Sequence, residues 1–199
     1  MHSKIPLKWS VIILVIAGAT FSSAIIFIAK DFCANPILPM SSSLPQDLRQ
    51  VRAELPVRLV IPALNIDATI EYVGLTLQGA MAVPTGPTST AWFDLGPRPG
   101  ENGSAVIAGH EGWKDGVRAV FDDLYKLRIG DKVYVEDGQN ATTTFVVHGI
   151  RTYDQNGDAA EIFNSDDGRA HLNLITCEGI WNAAEKSYSN RLVVFTDME

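Results

Sequence analysis

From Arg58 onward, short runs of branched and aromatic residues alternate with turn residues, which is the pattern of successive strands rather than long helices. Residues 58–61, 68–73, 104–108, 132–136, 143–151, 171–176 and 191–196 each read as a strand. Gly86-Pro87, Pro99-Gly100, Asn102-Gly103, Asp137-Gly138 and Asn156-Gly157 supply the turns between them. Helical period is scarce. Its best case is 119–127, where Val120, Leu124 and Leu127 recur at i, i+4 and i+7, with a second short turn at 158–163. Many short strands with one or two short helices predict a mainly β fold closed, or nearly closed, into a barrel.

The N-terminal part follows a different rule. Residues 9–29 carry no charge and are dominated by Val, Ile, Ala, Phe and Leu, long enough to cross a hydrocarbon core of about 20 residues. Lys4 and Lys8 precede the run, so residues 1–8 are expected to stay in the cytoplasm and everything after Lys30 to face outward. A cleaved signal peptide would have a shorter apolar core and a small-x-small cleavage site, which Ile28-Ala29-Lys30-Asp31 does not offer. Residues 30–56 hold Pro36, Pro39, Pro45 and Pro56 with Ser41-Ser42-Ser43 and no hydrophobic period, so they read as a tether. The folded domain is expected over 57–199.

Charge narrows the partners. The chain has 23 acidic against 16 basic side chains, a net of −7, and three of the basic ones (Lys4, Lys8, Lys30) flank the apolar run. The outward part therefore has 13 basic against 23 acidic residues, a net of −10. Nucleic acid is excluded, since its binding rests on Lys and Arg neutralising phosphates. Two cysteines are present, Cys33 in the tether and Cys177 in the domain; pairing them would require the tether to fold back.

Three residues at the edges of strand-like runs carry the candidate chemistry. Cys177 follows 171–176 and is itself followed by Glu178-Gly179, so its thiol is placed at a strand terminus, partly exposed as a nucleophile must be. A buried cysteine as core filler is the plainer alternative. His110 closes the run Ala105-Val106-Ile107-Ala108-Gly109 and precedes the polar Glu111-Gly112. Near a thiol it would stabilise the thiolate and protonate a leaving amine; alone it would be a hydrogen-bonded surface histidine. Arg191 opens the last run, where it is either a solvated strand-end residue or a fixed cationic fork for an oxyanion.

Taken together, these residues resemble the sortase transpeptidases of bacterial cell surfaces, most closely class F. The resemblance rests on Asn173-Leu174-Ile175-Thr176-Cys177, with Asn173 in place of the common threonine, on Ala108-Gly109-His110 and on Asn190-Arg191. Arg58-Leu59-Val60-Ile61-Pro62, Gly79-Ala80-Met81-Ala82-Val83-Pro84, Ala91-Trp92-Phe93 and Leu95-Gly96-Pro97-Arg98-Pro99-Gly100 extend it over about 58–196. It implies an eight-stranded barrel. It also implies a membrane-anchored cysteine transpeptidase that cleaves a Leu-Pro-x-Thr-Gly-like signal between Thr and Gly through a thioester on Cys177. Arg191 would hold the oxyanion and His110 protonate the departing amine, with Thr176 either orienting the site or packing. The acceptor would be an amine of a peptidoglycan precursor or a pilin, and the partners surface proteins bearing the signal. No cofactor and no metal are needed for this.

Other motifs are weaker. His148 and His171 lack the short spacing of metal ligands. Asp154-x-Asn156-x-Asp158 opens like a calcium loop but has Ala159 at position six and Ser165 at position twelve. Leu38-Pro39-Met40-Ser41 and Leu44-Pro45-Gln46-Asp47 faintly echo a sorting signal, as proline-rich tethers often do. Three other classes stay open: a cysteine hydrolase that passes the acyl group to water, a peptidoglycan L,D-transpeptidase, and an inert surface domain. The second expects a Ser-His-Gly-Cys-type run, where this chain has Ile175-Thr176 before the cysteine.

Overall fold

The computed structural model describes residues 55–184 and 187–199. The anchor expected at 9–29, the faint Leu-Pro motifs and Cys33 lie outside the described residues. Among the described residues no helix is long and apolar enough to cross a membrane.

Eight strands form a closed barrel: β1 (Pro56–Ile61), β2 (Ile66–Val73), β3 (Thr90–Phe93), β4 (Gly103–Gly109), β5 (Lys132–Asp137), β6 (Thr142–Asp154), β7 (Ala170–Asn182) and β8 (Ser187–Met198). Their order around the barrel is β1-β2-β3-β4-β7-β8-β6-β5, with β1 pairing β5 to close it. Two pairs are parallel, β2 with β3 and β4 with β7. Each parallel pair needs a crossover connection. The first, residues 74–89, and the segment holding the short helix α1 (Ala160–Phe163) become the walls of the site described below.

Seven of the strands coincide with the runs seen in the sequence, and the eighth, β3, does not announce itself. Thr90, Ala91 and Trp92 are all buried, so this four-residue strand has no polar alternation to read. The helical period at 119–127 is corrected. That stretch is a series of turns with a single 3-10 turn at Leu124–Lys126. Phe121, Leu124 and Leu127 are buried there because the turns plug the barrel, so helical spacing arises without a helix. The short turn expected at 158–163 is α1.

Both faces of the β4-β7-β8 sheet are covered. Ala105, Ile107, Leu172, Leu174, Leu192 and Val194 point into the barrel core. The alternate residues Val106, Val193 and Phe195 point outward and pack against Ile162 of α1. Each fully buried Leu or Ile contributes about 1.5–3 kcal/mol through area removed from water. One buried hydrogen bond pins α1 to this outer face, from Asn173 Nδ2 to the Ile162 carbonyl at 2.7 Å.

Candidate functional site

The strand registers bring three of the sequence-predicted residues together. Cys177 of β7 lies directly opposite Arg191 of β8. Paired residues of an antiparallel ladder project to the same face, and here strand parity makes it the outer face shared with Ile175 and Val193. β4 runs parallel to β7 with Ala108 beside Ile175, so His110, the first residue after β4, arrives next to Cys177. All three line one cleft of about 470 Å³. Its walls are Leu75, Met81 and Val83 of the 74–89 crossover on one side and Ala159 and Phe163 on the other.

Two expected strand ends move. β7 does not stop at Thr176 but continues through Asn182, and β8 starts at Ser187, ahead of Arg191. Cys177 is thus within a strand, half-buried and open to the cleft, and a register shift follows it between Glu178 and Trp181. Gly179 sits there with φ +91°, where any Cβ would fall 2.4 Å from Ser189 Oγ. Trp181 and Tyr188 pack edge to face at 5.2 Å and hold the hairpin beyond the shift.

Thr176 fixes the junction. It is 4% exposed, and its hydroxyl donates to the Gly109 carbonyl at 2.8 Å, tying β7 to β4 one residue before Cys177 and one before His110. His110 is held from both ends. Phe121 N–H donates to its carbonyl at 3.0 Å, and its own Nε2 bonds the Pro84 carbonyl at 2.8 Å. A carbonyl only accepts, so Nε2 carries hydrogen and Nδ1 is the nitrogen that remains for proton transfer. The Trp113 ring lies edge-on at 4.8 Å. Pro84 is itself placed by Glu71, whose carboxylate takes Thr85 N–H at 3.0 Å and the Thr85 and Ser89 hydroxyls. Burial works against the Glu71 charge, but those hydrogen bonds outweigh it and hold the carboxyl below its usual range.

The Arg191 guanidinium folds along its own strand. Nη1 donates to the Tyr188 and Asn190 carbonyls at 3.0 and 2.8 Å, and Nη2 to Ser187 Oγ at 3.1 Å. A guanidinium has five N–H donors, so Nε–H and one Nη2 hydrogen remain for a ligand. The electrostatics of the thiol are mixed. Burial pushes Cys177 up, Arg191 pulls it back, and Glu111 adds to the rise. At an ordinary pKa of 9.0 only about 1% of a thiol is ionised at pH 7, and Cys177 lies above that value. The sulfur is a free thiol.

Glu111 and Glu71 were not singled out by the sequence. Glu111 was simply part of the polar turn after His110. Its Oε2 is buried with no hydrogen-bond partner. Burial first, then the nearby Glu178 and Asp122 carboxylates, raise its pKa. The only available signal was its position next to the histidine. The calcium-like motif is satisfied internally: Asp154 Oδ1 accepts from Asn156 N–H and Asp158 Oδ1 from Ala160 N–H, both at 2.9 Å, which are Asx turns. His148 and His171, separated in sequence, do meet, at the far end of the same outer face beside Asp197.

A barrel carrying a cysteine, a histidine and an arginine in one outer cleft defines a class of thiol acyl-transfer protein, and the comparisons give it a family. The model of the sortase domain matches residues 59–199, so the chain belongs to the sortase family, a family of cysteine transpeptidases. Among solved structures it is similar to the lid mutant of sortase A from Corynebacterium diphtheriae, with 24% identity and a TM-score of 0.56 over 77% of this chain and 76% of that one. It is also similar to sortase C from Clostridium perfringens SM101, at 22% identity and a TM-score of 0.53 over 78% and 76%. A Clostridium perfringens sortase D5 transpeptidase matches at 17% identity and a TM-score of 0.54, over 77% and 85%. At these identities the likeness is one of fold. No curated protein matches the chain.

Proposed function

We propose that the protein is a membrane-anchored transpeptidase that cleaves a Leu-Pro-x-Thr-Gly-like signal between Thr and Gly and passes the acyl group to an amine. The observation that carries this reading is the convergence of Cys177, His110 and Arg191 on one cleft, with Cys177 and Arg191 in register. The apolar crossover wall of Leu75, Met81 and Val83 suits the Leu-Pro portion of such a peptide.

In this mechanism the Cys177 thiol passes its proton to Nδ1 of His110, and the thiolate, a minor species in the resting protein, attacks the Thr carbonyl and forms a tetrahedral adduct. The remaining Nε–H and Nη2 donors of Arg191 stabilise its oxyanion. His110 gives a proton from Nδ1 to the departing glycine amine, and a thioester on Cys177 results. An incoming amine then attacks the thioester and gives a proton to His110 Nδ1, which passes it to the departing sulfur and restores the thiol. Thr176, through Gly109, keeps the histidine and the sulfur in mutual position. The uncharged run 9–29 supports a single-pass anchor in the bacterial cell membrane, with a cytoplasmic N-terminus and an extracellular catalytic domain. The finer likeness to class F rests on the stretches before His110, notably Leu95-Gly96-Pro97-Arg98-Pro99-Gly100. The acceptor would be a peptidoglycan precursor or a pilin amine.

The test incubates the full-length protein with a Leu-Pro-Ala-Thr-Gly peptide and triglycine, and follows exchange and acyl-Cys177 by mass spectrometry, with Cys177→Ala alongside. Exchange that vanishes in Cys177→Ala with its melting temperature preserved is the expected result. Hydrolysis without exchange favours the hydrolase, and turnover by Cys177→Ala would refute the mechanism.

A further inference from the structure

His171 is the second residue of the strand that later carries Cys177, and it projects to the same outer face by strand parity. Its Nδ1 lies 2.8 Å from Asp197 Oδ1 on β8, and its Nε2 lies 2.9 Å from Asp167 Oδ1 in the segment after α1. Both partners are carboxylates, and Asp167 is held at about pKa 2, first by the His171 hydrogen bond and then by Arg169 N–H. An ionised carboxylate only accepts hydrogen bonds, so both ring nitrogens must donate. A neutral imidazole has one N–H, and only the imidazolium has two.

The Asp167 side of this contact leads to the cleft. Asp167 Oδ1 also accepts from Ser165 Oγ and Arg169 N–H, both at 3.0 Å, which gathers the segment after α1 around one oxygen. Two residues before Ser165 is Phe163, which lines the cleft and packs edge-on against Phe93 at 5.6 Å. Helix α1 is a single turn of 4 residues, too short to stand by its own hydrogen bonds. It is held by burial of Ile162, by the Asn173 bond and by whatever fixes its C-terminal flank.

We propose that His171 is a positioning residue for peptide capture: its imidazolium, bridging Asp167 and Asp197, clamps the α1 wall of the cleft onto the barrel, and loss of its second proton opens the clamp. The link to capture rests on the transpeptidase reading above; the clamp itself does not.

Titratable and charged groups from several elements surround the ring. His148 and Arg151 of β6, Asp197 of β8, Glu161 of α1, and Asp167 with Arg169 before β7 all face or border the ring. Arg169 bonds Asp197 Oδ2 at 3.3 Å and Arg151 bonds Glu161 at 2.8 Å, so these two carboxylates each have a guanidinium partner besides the ring's own neighbours. His148 Nε2 is 3.5 Å from Asp197 Oδ1, the same oxygen that His171 Nδ1 approaches. Burial alone would lower the His171 pKa, but the hydrogen bonds to Asp167 and Asp197 outweigh it and raise the value above 6.5. A raised histidine pKa means the clamp's contribution is full below the unfolded value and disappears as pH rises through the folded one.

The experiment measures hydrogen exchange of residues 158–169 in the full-length protein from about pH 5.5 to about pH 8.5, corrected for intrinsic rate, with KM and kcat for the peptide over the same range. Protection is expected to fall with rising pH while KM increases by about threefold or more, the weight of one lost hydrogen bond. His171→Phe should behave at low pH as the wild type does at high pH. His171→Arg, which keeps the charge and several donors, should hold both protection and low KM to the top of the range. Asp167→Asn should weaken protection at low pH without altering kcat. Wild-type protection independent of pH, or His171→Phe with unchanged KM at low pH, would overturn the proposal. So would protection that a chelator removes and zinc restores, since a metal would then be the clamp. If no peptide is cleaved at any pH, the transpeptidase reading fails while the exchange data still decide the clamp.

Discussion

Gly109 offers the sharpest test of how the site is assembled. An added Cβ there would sit 2.4, 2.7 and 2.7 Å from Cδ2, Cε2 and Cγ of Phe121. Carbon atoms prefer about 3.5–4.0 Å, so the ring or the strand must move by about an ångström. The ring cannot swing away, because Phe121 is 1% exposed in the barrel plug. Nor can the strand retreat, since the Gly109 carbonyl holds Thr176 and the His110 carbonyl holds Phe121 N–H. Gly109→Ala is therefore expected to cost about 1–3 kcal/mol, the range for overpacking, and to lower the melting temperature by about 3–10 °C. Because the displaced element is the one that presents His110, kcat should fall by about tenfold or more. Phe121→Leu makes room, so thermal melts of the two single variants and the double variant should show a coupling of about 1–2 kcal/mol in favour of the pair. A Gly109→Ala protein within about 0.5 kcal/mol of wild type, with no coupling to Phe121→Leu, would show that the glycine is not what sets the distance between His110 and the plug.

Three further predictions bear on the reacting groups. Arg191→Lys keeps the charge but loses the fork and its bonds to Ser187, Tyr188 and Asn190, so kcat should drop by about 10²–10³ with little change in KM; wild-type turnover would remove the arginine from the oxyanion role. Glu111→Gln removes a negative charge that helps to raise Cys177, so the pH midpoint for iodoacetamide alkylation of the thiol should move downward; an upward move would contradict the electrostatics described here. Thr176→Val keeps the shape but leaves the buried Gly109 carbonyl unpaired, which should cost about 1–3 kcal/mol in a thermal melt, and an unchanged melt would show that the bond is replaced.

Most strands of the barrel were legible because a half-buried strand alternates. β1 and β2 show this plainly, with Leu59, Ile61, Ala68 and Ile70 inward and Asp67 and Thr69 outward. Legibility fails where a strand is covered on both faces and also too short to show an apolar run, as β4 still does. β3 has no polar face, and its place in the count came from the family resemblance alone. The 119–127 stretch fails for the opposite reason, since a plug of turns buries residues at spacings that a helix would also produce. At the site, the residue types at 110, 177 and 191 were readable, whereas what holds them was not. Pro84, Glu71 and Phe121 act through a carbonyl, a loop and a backbone N–H, none of which leaves a pattern along the chain.

The same limit explains why β7 conceals the organisation of the whole cleft. Read linearly, 170–176 is an apolar strand interrupted by one histidine and one asparagine. Folded, its outward residues form a series: His171 at the acidic contact, Asn173 on the α1 carbonyl, Ile175 in the cleft and Cys177 opposite Arg191. Four outward positions of one strand thus anchor the wall, support the floor and carry the sulfur. A register slip of one residue would turn all four into the barrel core at once. The inward set, Leu172 and Leu174 with Thr176 against Gly109, opposes that slip, because it would put an imidazole and an amide, stripped of their present hydrogen-bond partners, where two leucines now sit. The hydrophobic core therefore does more than stabilise this fold. By fixing the parity of β7 it determines which side chains face the cleft, and Asn173 marks the point where a polar residue on that face is needed to hold a wall that the strand cannot hold by packing alone.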